Sequence, residues 1–238
     1  ALIEKIEESE IPYWFPTDRM PEGDESRRND PIGLTHVHHF YTKRNLWVLS
    51  CLAASFEKKY RIIFLSVVAT LCARIVRYNM GNRGNGPLSG TLYIGSMVAE
   101  TNPLWVTAGK IAAFSSAFLN SLYSTCIETR SFTRLNEYCN SIDYLFLDPP
   151  FGSNINYSEL NFLWESWLKV WTNNKPEAIE SKVQGKGPQE YHRLMTNCFK
   201  EANRVLKPGH WMTVEFSNTK ASVWNSIQTA LGEAGFIV

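Results

Sequence analysis

Asp148-Pro149-Pro150-Phe151 sets an acid, a rigid turn and an aromatic ring within four residues. The prolines fix their own φ and remove two backbone donors. They also hold the residue before them extended. The tetrapeptide follows Ile142-Asp143-Tyr144-Leu145-Phe146-Leu147, an apolar run of aromatic and branched residues that reads as a buried strand. The product is a stiff turn at a strand's carboxyl end, the edge where open α/β sheets bind ligands. The structural alternative is a plain strand stop, with Asp148 capping the next turn and Phe151 in the core.

The elements around this turn follow from periodicity and punctuation. Residues 1–33 open with a short acidic helix and continue as a Pro- and charge-rich extended arm. Residues 34–135 read as mainly helical. Thr42 is a suitable N-cap for a helix from Lys43 to about Tyr60, a second helix is expected over Arg61 to Tyr78, and a third over Leu104 to Tyr123. A short strand is expected at Thr91 to Ile94. Residues 136–238 alternate: the strand before Asp148, a helix from Tyr157 to Trp171, and a polar loop to Pro188. A helix from Gln189 to Leu206, a strand from Trp211 to Phe216, a helix from Ser222 to Ala234 and a strand beginning at Phe236 complete the series. Alternation of this kind predicts a parallel α/β sheet.

With these elements in place, Asp-Pro-Pro-Phe after an apolar strand resembles the catalytic motif of the amino-group DNA methyltransferases, (Asp/Asn/Ser)-Pro-Pro-(Tyr/Phe/Trp). The following stretch, Gly152 through Tyr157-Ser-Glu-Leu to Trp164, Trp167 and Leu168, resembles that of large bacterial and archaeal DNA methylases. Arg204-Val-Leu-Lys207-Pro208-Gly209 and Trp211-Met-Thr-Val-Glu-Phe216 resemble the helix, turn and fifth strand of class I methyltransferases. The resemblance covers residues 142–238 well and the first half loosely. It implies a partial Rossmann-like class I methyltransferase sheet with a mainly helical N-terminal part. It implies S-adenosylmethionine as cofactor, DNA as partner, and methylation of adenine N6 in preference to cytosine N4.

On this resemblance, Asp148 and a carbonyl of the Pro149-Pro150 segment accept hydrogen bonds from the target amine. That favours a pyramidal nitrogen and frees its lone pair for in-line attack on the sulfonium methyl. Catalysis is then positioning and electrostatics, without a covalent intermediate. Phe151 stacks on the base, which must leave the duplex; such stacking contributes about 1–3 kcal/mol per base. Asn154, Asn156 and Tyr157, just past the motif, are candidates to line the base pocket. Phe40-Tyr-Thr42-Lys-Arg-Asn resembles the (Phe/Tyr)-(Ser/Thr)-x-(Lys/Arg) segment that touches the methionine end of the cofactor, which assigns Phe40 and Thr42 to cofactor binding. The alternative there is an ordinary helix cap.

Composition bounds the function classes. The chain has 238 residues, 44% hydrophobic and 20% charged, as a soluble globular protein does. Five cysteines without CxxC spacing suit a reducing cytosol. None follows a proline, which disfavours the thiolate chemistry of cytosine-C5 methylation. The longest apolar run, Ile62 to Cys72, is too short to span a bilayer, so no membrane partner is expected. Net charge is +1, unevenly spread: residues 31–99 hold eight Lys/Arg against Glu57 alone. That stretch offers a phosphate-facing surface through Lys43, Arg44, Lys58, Lys59, Arg61, Arg74, Arg77 and Arg83, or simply solubilises amphipathic helices. His36, His38 and His39 have no carboxylate or cysteine at ligand spacing, and no metal site is expected. Trp164, Trp167, Leu168 and Trp171 recur at helical spacing and read as core. The loop from Asn173 to Pro188 is long enough to be either a DNA clamp or a mobile linker.

The family's Gly-rich cofactor turn, (Asp/Glu/Phe)-x-Gly-x-Gly, is missing. Gly81-x-x-Gly84-x-Gly86 follows an expected helix and precedes Pro87, which fits a loop better. The chain therefore reads as a catalytic fragment whose cofactor-binding segment or subunit lies elsewhere. Two alternatives remain: a non-catalytic nucleic-acid-binding or scaffolding subunit with a relic pocket, and an RNA or protein-amide methyltransferase. Asp148 counts against the latter, whose families carry Asn at that position.

Overall fold

A computed structural model describes residues 2–79, 86–119, 126–153 and 155–238. The chain is mixed helix and strand, with one parallel strand pair among the described residues. It divides into two compact units, residues 1–124 with 157–172 and residues 125–156 with 173–238. Among the described residues, no helix is long and apolar enough to cross a membrane. The five cysteines are free thiols.

The first unit contains α1 (Leu2–Glu8), α2 (Asp24–Arg27), α3 (Lys43–Ser55), α4 (Lys58–Leu71), α5 (Pro103–Leu119) and α6 (Tyr157–Leu168). Thr42 caps α3: its hydroxyl accepts from Asn45 N at 3.2 Å. The helix stops at Ser55 rather than running to Tyr60, because Phe56 and Glu57 are both extended. Arg61 then reaches back from α4 to the Phe56 carbonyl at 2.9 Å. Asn102 caps α5, its side chain accepting from Leu104 N at 2.9 Å, with Pro103 at the first helical position. Apolar residues of α3, α4 and α6, including Leu49, Leu65, Val68 and Leu163, bury a common core with Val37 and Phe40. Thr91 to Ile94 is irregular rather than a strand.

The first 33 residues do not form the expected extended arm. Met20, Ser26 and Asn29 are buried. The polar groups that made this stretch look solvated serve as internal ties instead. Asn29 donates to the Leu92 carbonyl at 3.0 Å, and the Glu25 carboxylate accepts from Leu92 N at 2.9 Å. Glu159 of α6 is 5% exposed and accepts from Glu25 N, Ser26 N and the Ser26 hydroxyl at 3.0, 3.0 and 3.2 Å. Burial raises its pKa, against the pull of those donors.

The second unit contains β1 (Ile142–Leu147), α7 (Pro188–Val205), β2 (Leu206–Val214) and α8 (Ala221–Glu233). Tyr191, Leu194, Met195, Phe199, Ala202 and Val205 mark one buried stripe of α7 at helical spacing. That stripe packs with Val223, Ile227 and Ala230 of α8, and with Leu147, Met212 and Val214 from one face of the strand pair. β1 and β2 run parallel with Tyr144 opposite Trp211 and Leu147 opposite Val214. Lys207-Pro208-Gly209-His210 bulges out opposite Asp143, with Gly209 at φ 75°. Lys207 Nζ meets the Asp143 carboxylate at 2.6 Å and lowers its pKa. The expected turn is thus an excursion within a longer strand, because pairing already begins at Leu206. β1 is not buried on both faces: Tyr144, Phe146 and Trp211 stand exposed on the side away from α7 and α8. No strand forms at Phe236, whose ring packs on the α7/α8 core.

Packing makes one pair of glycines informative. A Cβ on Gly23 would fall 1.9 Å from the Glu159 carboxyl carbon, whereas one on Gly109, within α5, meets nothing within 4 Å. Gly23→Ala is expected to lower stability by about 1–3 kcal/mol. Gly109→Ala is expected to raise it by about 0.5–1 kcal/mol. Urea unfolding of both variants beside the unmodified protein checks the pair.

Candidate functional site

The turn after β1 begins where the ladder ends. Glu215 N donates to the Leu147 carbonyl at 2.8 Å, the last backbone bond before the prolines. Pro149 and Pro150 have no N–H to extend the pairing, so the segment is held through its carbonyls. The Tyr191 hydroxyl of α7 donates to the Pro150 carbonyl at 2.8 Å. The Asn218 side-chain amide, between β2 and α8, donates to the Phe151 carbonyl at 2.8 Å. The Glu180 backbone N–H donates to the Gly152 carbonyl at 3.1 Å. Gly152 sits at φ 74°, a left-handed conformation that reverses the chain.

Aromatic contacts complete the turn. The Phe151 ring meets Phe216 edge-on at 5.1 Å, and Phe216 meets Trp224 in the same manner at 5.1 Å. Trp224 Nε1 donates to the Asn218 carbonyl at 2.8 Å, fixing the residue that holds Phe151. Phe151 is half-buried and Asp148 exposed. Among the described residues, neither the Asp148 carboxylate nor the Pro149 carbonyl has a hydrogen-bond partner. Two adjacent acceptors are therefore held open at the carboxyl end of a parallel strand. Each can accept a hydrogen bond.

The loop from 173 to 187 is an ordered part of this unit. Ser181 and Lys186 exchange two backbone bonds of 2.9 Å. Lys186 is 8% exposed, and its ammonium donates to the Asn174 and Glu177 carbonyls at 2.5 and 2.6 Å. Burial lowers its pKa, partly offset by Glu177 and Glu190. The buried lysine fastens the loop, and the Glu180 N–H links the loop to the turn.

The structure distributes the residues singled out from sequence between the two units. Asp148, Pro149, Pro150, Phe151 and Asn156 belong to the second; Asn154 lies outside the described residues. The Asn156 side-chain oxygen is buried without a partner among the described residues. Tyr157 opens α6 in the first unit, as an exposed ring. Phe40 and Thr42 are also in the first unit. Phe40 is wholly buried, and the Thr42 hydroxyl accepts from Asn45 N and donates to Glu100 at 2.6 Å. Glu100 also pairs with Arg44. Tyr191, Asn218 and Glu180 escaped the sequence reading. A tyrosine on an apolar helix stripe reads as core, and only its hydroxyl shows otherwise.

The remaining sequence candidates are in the first unit. His36, His38 and His39 have ring centroids 4.3–5.7 Å apart. Burial lowers the His38 pKa, aided by the two neighbouring histidines. Among the described residues, no group of three or more His, Cys, Asp or Glu side chains is placed to hold a metal ion. A cleft of about 700 Å³ opens beside His38, lined also by Glu10, Phe15, Tyr41, Lys43 and Arg74. Lys43 donates to the Glu7 carbonyl and Arg44 pairs with Glu100, so both cations are engaged within the unit. Arg83, Gly81, Gly84 and the Lys59 side chain lie outside the described residues. Trp167 is core and donates to the Tyr41 hydroxyl at 3.1 Å, while Trp164 is half-buried and Trp171 exposed.

No family model, curated protein or solved structure matches this chain.

Replacing Lys186 by Met keeps its length and removes the bonds to two backbone carbonyls. Charged hydrogen bonds of this kind contribute about 1.5–3 kcal/mol, so opening of the loop becomes about tenfold or more easier. Trypsin cleavage at the exposed Lys182 is expected to accelerate accordingly, and peptide mapping of a time course reads it.

Proposed function

We propose that this chain carries the methyl-transfer pocket of an S-adenosylmethionine-dependent DNA amino-methyltransferase, with adenine N6 preferred over cytosine N4. The observation that carries this reading is the unclaimed acceptor pair of Asp148 and the Pro149 carbonyl at the carboxyl end of β1. The resemblance of Asp148-Pro149-Pro150-Phe151 to the family motif supplies the chemistry. The two acceptors draw the amine hydrogens toward themselves, and the nitrogen lone pair attacks the methyl carbon. The carbon–sulfur bond breaks with its electrons on sulfur, leaving a neutral thioether. The methylated nitrogen then loses a proton to Asp148 and solvent. Phe151, held edge-on against Phe216, is the ring that stacks on the flipped base on this reading. On this reading β1 and β2 are neighbouring strands of a partial Rossmann-like class I sheet. A cofactor-binding segment or subunit is a further partner, and the compartment is the cytoplasm.

A second reading, a non-catalytic nucleic-acid-binding or scaffolding subunit, is favoured by one observation. Phe40 is in the core and the Thr42 hydroxyl is engaged on both sides, so the segment assigned to the cofactor has its polar group already in use. Calorimetric titration with S-adenosylmethionine, with and without duplex DNA, separates the two readings. Cofactor binding supports the enzyme; DNA binding alone, with no methyl transfer after a cofactor-binding segment is restored, supports the subunit.

Transfer of a labelled methyl group to duplex DNA tests the mechanism. Asp148→Ala is expected to cut the rate by at least about 10²–10³ with the thermal midpoint unchanged, since the carboxylate is exposed. Retained transfer in that variant overturns the role of Asp148. Phe151→Ala is expected to weaken binding of DNA carrying the target base more than binding of cofactor.

A further inference from the structure

We propose that Tyr191 and Asn218 are positioning residues that orient the Asp148–Pro149 acceptor pair through the backbone of the turn. This inference rests on the methyl-transfer reading above. Three successive carbonyls, those of Pro150, Phe151 and Gly152, are each tied down, and each tie comes from a different element. The carbonyl immediately before them, that of Pro149, is left open. The boundary between tied and open groups falls between two prolines, where the chain is stiffest. The peptide joining Pro149 to Pro150 is planar, and the Pro150 ring fixes φ. One soft torsion, ψ of Pro150, then separates the open Pro149 carbonyl from the anchored Pro150 carbonyl. Anchoring the latter on Tyr191 and the next carbonyl on Asn218 fixes that torsion. The direction of the open acceptor is thereby set from the core of α7.

Tyr191 is suited to that task. Its ring is wholly buried in the α7/α8 core, so the hydroxyl has a fixed origin. Burial also raises the phenol pKa, reinforced by the nearby Glu180 carboxylate and opposed by the Gly152 amide. The group therefore remains a proton donor throughout the neutral range. Asn218 is held in turn from two sides. Its Oδ1 accepts from Lys220 N at 2.8 Å, and its backbone carbonyl accepts from Trp224. Neither side chain touches the reacting atoms on this reading; both act through the backbone.

The test measures labelled methyl transfer from S-adenosylmethionine to duplex DNA by the full chain and three variants. Tyr191→Phe removes one hydroxyl and keeps the buried ring. Asn218→Ala releases the Phe151 carbonyl without disturbing the α7 core. Each is expected to lower kcat by about 10–100-fold, as misplacement of a reacting group does. KM for S-adenosylmethionine is expected to stay unchanged, and the thermal midpoint to fall by no more than a few degrees, as loss of one hydrogen bond does. Tyr144→Phe serves as the control. It deletes a hydroxyl bonded to Thr213 at 2.6 Å on the exposed sheet face and is expected to leave kcat unchanged. An active unmodified chain whose Tyr191→Phe and Asn218→Ala variants keep full kcat overturns the positioning role alone. So does a loss of rate that disappears when the assay is run well below the variant's thermal midpoint. An unmodified chain that binds both S-adenosylmethionine and duplex DNA but transfers no methyl group overturns the methyl-transfer reading, and the positioning role with it.

Discussion

Two consecutive prolines at the end of β1 take away the donors by which a strand normally holds its neighbour. The second unit is arranged around that deficit. The chain beyond Leu147 still has carbonyls, and a carbonyl is fixed only by a donor brought to it. Tyr191 from α7, Asn218 from the β2–α8 connection and the Glu180 amide from the 173–187 loop are those donors. Each needs its own support. Tyr191 has the α7/α8 core, Asn218 has Trp224, and Glu180 has a loop fastened by the buried Lys186. Removing two N–H groups from the chain thus requires a tyrosine, an asparagine and an ordered loop from elsewhere in it.

The first unit solves a related accounting problem in the opposite sense. α2 is only four residues long, and its first amides have no intrahelical partner. A buried carboxylate supplies the acceptor: Glu159 gathers Glu25 N, Ser26 N and the Ser26 hydroxyl onto one oxygen. Burying an acid is costly unless its lone pairs are used. The raised pKa of Glu159 shows that the donors offset this cost only in part. Gly23 is the concession in the backbone, since a side chain there would occupy the space of the carboxylate.

Period and punctuation in the sequence locate the main elements of the second unit. The stripe from Tyr191 to Val205, the apolar run of β1 and the stop at Asp148 are all readable, because each depends on neighbours within a few residues. Non-local features are not readable. Nothing between Ser55 and Lys58 is a glycine or proline, so the extended Phe56 and Glu57 leave no mark in the sequence. Residues 1–33 are polar and proline-rich, and those same side chains become ties only once Leu92 and Glu159 arrive from far along the chain. The bulge at Lys207 to His210 reads as a turn because its pairing with β1 on both sides is a property of register. For the site, Asp148 and Phe151 stand out by type, while Tyr191 and Asn218 gain meaning only from the carbonyls they face.

The order in which the chain contributes to its two units carries a consequence for its synthesis. Residues 157–172 belong to the first unit, yet they follow the strand and turn of the second. The polypeptide passes from one unit to the other three times, and neither is a continuous stretch. A ribosome delivering this chain from its amino end has made α1 to α5 well before Glu159 exists to accept the amides of α2. By the time Glu159 appears, β1 has emerged and still lacks β2, α7 and α8. The partners of the Asp148 turn therefore lie some sixty residues further along the chain, synthesised after the last residues of the first unit. No single cleavage of the chain separates one unit intact from the other.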